Sequence, residues 1–372
     1  NIKATDEVEI INPSSWSCPH GTMRWNDECG CRTNPKFKYQ GWRKTLKLTT
    51  DEVSEKSNDI FLKETTDFIK EPDQSLYDYI NFYDQPDPHS FIRFIETHSK
   101  KPVTSEKASE ILNIFLSQIH TAYSQTSCGW FFDDITNIET LNNIKHMIWL
   151  DNLFKKYGIS TNVIDELKKE KSNLRINVSE LINNIYRSEI MSEMIMAAEY
   201  AVLESLDFID RISKSKYRIK ITKKEEKNGI QAYLLKFTDI YTLKEDFFAV
   251  SITYENNNIK SMVKPTSNTE RDIPDMLSGN FDGYNIFSID DMSKKTARII
   301  RILLSKDEKD LLMKQYLYML SSYDHTDESF KKLVKKFKDI ASNKTDLSFI
   351  PFVYDLVSFI IRKEPDMDDT RS

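Results

Sequence analysis

The period of the hydrophobic residues changes partway along this chain, and that change bounds what it can fold into. From about residue 51 to residue 210, apolar residues recur every three or four positions, the spacing of helices with one buried face. One helix is predicted over about Ser105–Ser124, with Ile111, Leu112, Phe115, Ile119 and Tyr123 on one side. The next begins at Thr136, which forms a capping box with Glu139, and it buries Ile138, Leu141, Ile144 or Lys145, and Ile148. Residues Asn173 to Asn177 break the pattern, and a long apolar helix follows through Ile190, Met194, Ala197, Ala201 and Leu206. The period then becomes two. Tyr217, Ile219 and Ile221 alternate with Arg and Lys, Asn228-Gly229 signals a tight hairpin, and further strands read near 232–238, 247–254 and 259–263. They form an antiparallel meander with one wet face. Residues 266–288 read as loop, and helical spacing returns near 290–303, 306–322, 327–342 and 349–362, before an acidic end that frays. The prediction is therefore α+β, mainly α. An irregular segment over 1–50 packs on a helical bundle over 51–210; a meander over 211–288 and C-terminal helices over 289–372 follow.

Composition narrows the class. At 372 residues, 39% hydrophobic and 30% charged, the chain suits a soluble globular protein with a sizeable core. No apolar run approaches the roughly 20 residues that span a bilayer, and no signal peptide opens the chain. It starts at Asn1 in strand-like sequence (Val8, Ile10), so a fragment lacking its N-terminal part is expected. The net charge of −6 is made of interspersed signs, which argues against nucleic acid as a partner. The basic run from Lys331 to Lys338 reads as a solvated helix face. Four cysteines in a chain this long do not make a secreted disulfide scaffold, so reduced thiols and a cytoplasmic location are expected.

All four cysteines and all five tryptophans fall in two windows. The first holds Trp16, Cys18, Trp25, Cys29, Cys31 and Trp42; the second holds Cys128, Trp130 and Trp149. Local helix or strand building does not demand such crowding, so the windows are expected to meet. In the first, Cys18-Pro19-His20 and Cys29-Gly30-Cys31 supply three thiols and an imidazole, a donor set that suits tetrahedral structural zinc. The pairs are separated by one residue rather than the two to four of zinc fingers, and small buried thiols under Trp16 and Trp25 are the alternative. His20, Arg24 and Trp25 also read as a polar and aromatic surface of the kind that binds sugars.

The second window runs from Thr126 through Cys128, Gly129, Trp130, Phe131 and Phe132 to Asp133 and Asp134. Gly129 permits a sharp turn. Three consecutive aromatics cannot all enter one core face, so one is expected to face a cleft. Asp133 and Asp134 precede a helix, where the helix dipole favours negative charge. As neighbours they point apart, which makes them a poor catalytic pair.

Together the windows resemble a family, the uncharacterised domain (domain of unknown function 3536) that follows the catalytic barrel in some glycoside hydrolase family 57 proteins. The resemblance is carried by Trp16-Ser17-Cys18, His20-Gly21, Arg24-Trp25, Cys29-Gly30-Cys31, Gly41-Trp42-Arg43, the run from Thr126 to Asp134, Ile138-Glu139-Thr140, and upstream Gln118 and His120. It implies an accessory region that completes a sugar cleft for an α-glucan. Trp130 would be the first substrate-facing residue, with Asp133, Asp134, His20, Arg24, Trp25 and Trp16 around it. No parallel βαβ pattern precedes residue 100, so the barrel is absent and no catalytic carboxylate carries over.

Three functions are thus open. The first is a non-catalytic accessory region of a family-57-like glycoside hydrolase, whose partners are carbohydrate and a missing N-terminal barrel. The second is a structural or interaction module stapled by zinc on Cys18, His20, Cys29 and Cys31, with Cys128 nearby. The third is a free-standing hydrolase using Asp133 or Asp134 with His20. His146 and Trp149, one turn apart, either extend the second window or pack.

Overall fold

The computed structural model describes residue 15 and residues 18–84, 87–206, 208, 216–255, 258–267 and 271–304. Trp16, the strand-like start, the basic run after Lys331, the helices expected beyond 304 and the acidic end lie outside the described residues. The chain divides into two compact units, residues 1–207 with 212–297, and residues 208–211 with 298–372. The described part of the second is Phe208 and residues 298–304.

The first unit opens with helices. They are α1 (Met23–Asn26), α2 (Trp42–Thr65), α3 (Pro72–Asp84), α4 (Pro88–His98), α5 (Ser105–Ser124), α6 (Cys128–Phe131), α7 (Ile138–Lys156), α8 (Val163–Lys168) and α9 (Val178–Ser205). Helix α2 begins at Trp42, inside the stretch expected to be irregular, because the helical spacing of Trp42, Leu46, Val53 and Ile60 already starts there. Its inward face also carries Ser57, which meets Ser117 of α5 at 3.3 Å and lets the two helices approach closely. Helix α5 spans the expected residues, and the Thr104 side chain caps it by accepting from the Lys107 amide. Trp42, Leu46, Phe61, Phe94, Phe115, Ile144, Phe154 and Ile182 belong to one core shared by α2, α4, α5, α7 and α9.

The start of α7 differs from expectation. Thr136 caps nothing: its amide and hydroxyl both donate to the Asp134 carboxylate, and the helix opens two residues later with Asn137 at its cap position. Ile138 is 69% exposed, while Ile144, Met147 and Ile148 take the core face. The break at Asn173–Asn177 is a loop, and the Asn177 side chain accepts from the Glu180 amide to cap α9.

The sheet is a meander of five antiparallel strands in the order β1 (Tyr217–Lys227), β2 (Ile230–Asp239), β3 (Glu245–Glu255), β4 (Asn258–Thr266) and β5 (Asn285–Ser288). Asn228 and Gly229 turn the first hairpin with φ of 53° and 76°, the left-handed pair that a two-residue turn requires. Two elements stand in what read as loop: β5, and α10 (Asp272–Leu277). They change the wet-face expectation. Ala232, Leu234 and Ala249 pack against Ile273 and Met276 of α10, while α9 packs on β3 and β4. Tyr233, Leu234 and Leu235 are consecutive and all buried, so the centre of the sheet is covered on both faces. Alternation with an exposed side survives in the edge strand β1. The last described helix, α11, is Lys294–Leu304. Among the described residues, no helix is long and apolar enough to cross a membrane.

Candidate functional site

The first window folds back on itself through two tight turns. In Cys18-Pro19-His20-Gly21 the Gly21 amide donates to the Cys18 carbonyl at 3.1 Å, and Gly21 takes a φ of +68°. In Cys29-Gly30-Cys31, Gly30 has the same left-handed φ of +68°. These turns bring the Sγ atoms of Cys18, Cys29 and Cys31 and a ring nitrogen of His20 within 4.8 Å of one another. Cys18 Sγ lies 3.7 Å from Cys31 Sγ and 3.9 Å from His20 Nδ1, and Cys31 Sγ lies 3.3 Å from His20 Nδ1. Tetrahedral zinc with bonds of about 2.3 Å to sulfur and about 2.0 Å to nitrogen needs edges of about 3.5–3.8 Å. This cluster can hold a metal ion such as zinc. The one-residue spacing that departs from zinc fingers is no obstacle, because each pair closes its own turn. Cys128 is exposed and lies outside the group.

Backbone amides also point at the sulfurs. The Cys31 amide donates to Cys29 Sγ at 3.4 Å. At Cys18, burial opposes ionisation, but the His20 backbone amide and the hydrogen bonds with Cys31, Cys29 and His20 outweigh it and bring the thiol down from 9.0 to about 7. Cys31 is pushed up to about 11, first by burial and then by its two neighbouring sulfurs.

The same loop is fastened to the second window. Arg24 donates to the Phe131 carbonyl at 2.8 Å and the Trp25 indole to the Ser127 carbonyl at 3.0 Å. Arg43, at the start of α2, donates to the Cys31 and Phe132 carbonyls and pairs with Asp133 at 3.3 Å. Directly after Cys31, the Thr33 amide (2.7 Å), the Thr33 hydroxyl (2.6 Å) and the Asn34 amide (2.7 Å) all donate to Asp133 Oδ2. Burial raises the Asp133 carboxyl, but those donors and Arg43 hold it below the usual carboxylate value. Arg43 is shifted down, chiefly by burial and then by repulsion from Arg24, with Cys29 and Asp133 opposing. The Nε atoms of Arg24 and Arg43 are buried and find no partner.

The structure joins the windows, as expected, but turns most of the expected residues inward. Trp130 is 3% exposed, and its indole donates to the Arg43 carbonyl at 3.1 Å. Asp134 is fully buried and accepts from Thr136, Ser172 and the Asn173 amide. Asp133 and Arg24 are buried too. Trp130, Asp133, Asp134 and Arg24, expected to face substrate, are buried here, and their polar groups bond to neighbouring chain segments. Each carboxylate oxygen of the two aspartates accepts at least one hydrogen bond within the fold. His20 is exposed, Trp25 is half-buried, and Trp16 lies outside the described residues. The aromatic expected to face outward is Phe132, 39% exposed, rather than Trp130.

Gly129 is not a turn. It sits within α6, where a Cβ would lie 2.3 Å from Asn143 Nδ2. Asn143 in turn donates to the Thr126 carbonyl and accepts from the Thr126 hydroxyl, and Thr140 donates to the Gly129 carbonyl. Sequence reasoning overlooked Asn143, Asn173, Gln40 and Thr33 in this assembly. All are common polar residues, and only their burial or partners distinguish them. Arg43 carried a signal, adjacent to Trp42 in a chain where tryptophan marks the site.

Comparison with known proteins adds one finding. The family model described as Domain of unknown function (DUF3536) matches residues 39–293, which include the second window and begin after Cys31. No curated protein and no solved structure matches the chain.

Proposed function

This chain belongs to the DUF3536 family, and on that premise we propose that it is an accessory module whose N-terminal loop is stapled by structural zinc. The observation that carries this reading is the gathering of three sulfurs and an imidazole within 4.8 Å. Charge supports it. Two buried guanidinium groups, Arg24 and Arg43, repel one another, only Arg43 is paired with a carboxylate, Asp133, and Arg43 also senses Cys29. Zinc with three thiolates and a neutral imidazole carries one net negative charge, which completes the balance around the arginines. The ion would close the loop from Cys18 to Cys31, a stretch with few aliphatic residues to stabilise it by burial. Cys18, His20, Cys29 and Cys31 would be its ligands, and Arg43, through the Cys31 carbonyl, would hold the last of them in place. Elemental analysis of the purified protein is expected to give about one equivalent of zinc, with a chelator lowering Tm. Metal well below one equivalent, together with a Tm indifferent to chelator, would rule the staple out.

A second reading concerns the larger protein this module would serve. We propose that it completes a family-57-like glycoside hydrolase acting on an α-glucan, with the catalytic barrel supplied from outside this chain. In support, the two windows that carry the resemblance are bound together, through contacts such as Thr33 to Asp133 across 100 residues. The module alone is expected to leave α-glucan intact, and addition of a matching barrel domain is expected to restore turnover. No gain on mixing, with complex formation verified, would remove this reading and leave the zinc staple standing.

A further inference from the structure

A cleft of about 1440 Å³ opens in the first unit between the N-terminal half of α5, the end of α7 and the β2–β3 turn. That is more than the roughly 300–1,000 Å³ of ordinary small-molecule sites, so it has room for a ligand with a chain. Its aliphatic wall includes Ile92 and Ile95 of α4, Val103, Leu153 of α7 and Leu243. Ile92 is 46% exposed, an apolar side chain that the fold leaves uncovered. Leu243 holds a φ of +58°, a left-handed conformation that suits glycine and that leucine adopts at a cost. The wall is thus kept aliphatic against the preference of the backbone.

Polar groups converge on this wall without partners of their own. Ser109 and Asn113, one turn apart on α5, and Tyr157, next after α7, are half-buried, and none of their side chains makes a hydrogen bond among the described residues. Lys156, the last residue of α7, forms no ion pair among the described residues either. The carboxylates that act on it at longer range are engaged elsewhere, Glu193 with the Tyr217 hydroxyl and Asp246 with Lys244. Burial first, then Lys244 and Lys216 push the Lys156 ammonium below its usual value, with Glu193 and Asp246 opposing, as expected of a cation that lacks a counterion. The rest of the lining has the same sign. Lys244, Glu110 and Glu245 are paired with Asp246, Lys107 and Lys236, all outside the cleft. Among the lining residues, Lys70, Lys100, Lys101 and Lys156 then face Glu96 and Glu106, a cationic surplus in a chain whose net charge is −6. A concave surface of one sign draws ligands of the other.

We propose that this cleft binds a small organic carboxylate with an aliphatic body. The Lys156 ammonium, the Ser109 and Tyr157 hydroxyls and the Asn113 amide all offer donors to the two carboxylate oxygens, and the wall from Ile92 to Leu243 takes the chain. An inorganic anion would satisfy the lysines and leave the aliphatic wall bare. A neutral alkyl compound would cover the wall and leave Lys156 without a counterion. The cleft shares no residue with the metal cluster or with the junction of the two windows, so it stands apart from the zinc staple and from any catalytic barrel.

Calorimetric titration of the full chain with octanoate, octanol and acetate tests the proposal. Octanoate is expected to bind saturably with a Kd below about 1 mM and to raise Tm, while octanol and acetate bind at least about tenfold more weakly. Lys156→Met, at an exposed position, is expected to weaken octanoate about tenfold and to leave octanol and the Tm of the free protein unchanged. Lys156→Arg should keep most of the binding. Asn113→Leu, checked for folding by circular dichroism, is expected to weaken octanoate as well. No saturable heat from octanoate up to roughly 5 mM overturns the proposal. So does octanol binding as tightly as octanoate, or octanoate binding indifferent to Lys156→Met.

Discussion

Gly129 shows how a single missing atom governs the junction of the two windows. Its α-carbon faces the Asn143 side chain so closely that any Cβ would collide, and Asn143 cannot retreat without breaking its two bonds to Thr126. Gly129→Ala is therefore expected to destabilise the protein by about 1–3 kcal/mol, despite the better helix propensity of alanine. Urea unfolding gives the measurement, and adding Asn143→Ala should recover part of the loss by removing the obstacle. Unchanged stability in Gly129→Ala would mean that the packing of α6 on α7 is looser than described. The cysteines and His20 were legible in the sequence, since their chemistry has few other uses at such density. The inward turn of Trp130, Asp133 and Asp134 was not. An aromatic or a carboxylate at a loop carries the same letter whether it faces a ligand or a backbone amide, and only the partners decide.

Long helices and hairpins announced themselves because each repeats its signal over many residues. Helix α5 and the Asn228-Gly229 turn are examples, and the bundle-then-meander order follows from them. Short elements did not: α10 has six residues and β5 has four, too few for a period to show. Missing α10 is what made the sheet look wet on one side. At α7 the error was one of competition, because the Asp134 carboxylate captures the Thr136 amide and hydroxyl that a capping box would have used. Caps that face no such rival remain informative. The 28-residue helix α9 is capped by Asn177 at 3.1 Å, and Asn177→Ala is expected to cost about 1 kcal/mol in thermal or urea unfolding. Asn177→Asp should retain most of it.

His120, whose charged form is disfavoured by burial and then by His146 and Lys216, shapes how the fold responds to mild acid. Its folded value of about 3 lies below the ordinary 6.5, so the unfolded chain binds a proton that the folded chain refuses. Stability from this group is complete above about pH 6.5 and is lost as pH falls toward 3, with a slope of at most about 1.4 kcal/mol per pH unit. His146, also lowered, acts in the same direction. Urea midpoints taken from pH 7 to pH 5 should therefore fall in the natural protein and fall less in His120→Gln. Parallel curves for the two proteins would show that His120 is free to take up a proton in the fold.

The 100-residue separation between Thr33 and Asp133 also sets a timetable. At a synthesis rate of about 5–20 residues per second, the cysteine-bearing segment emerges roughly 5–20 s before the aspartate that will anchor it has been made. During that interval its thiols are tethered to a nascent chain with nothing to dock on. A metal ion able to gather the four side chains in that interval would hand the finished bundle a preassembled knuckle.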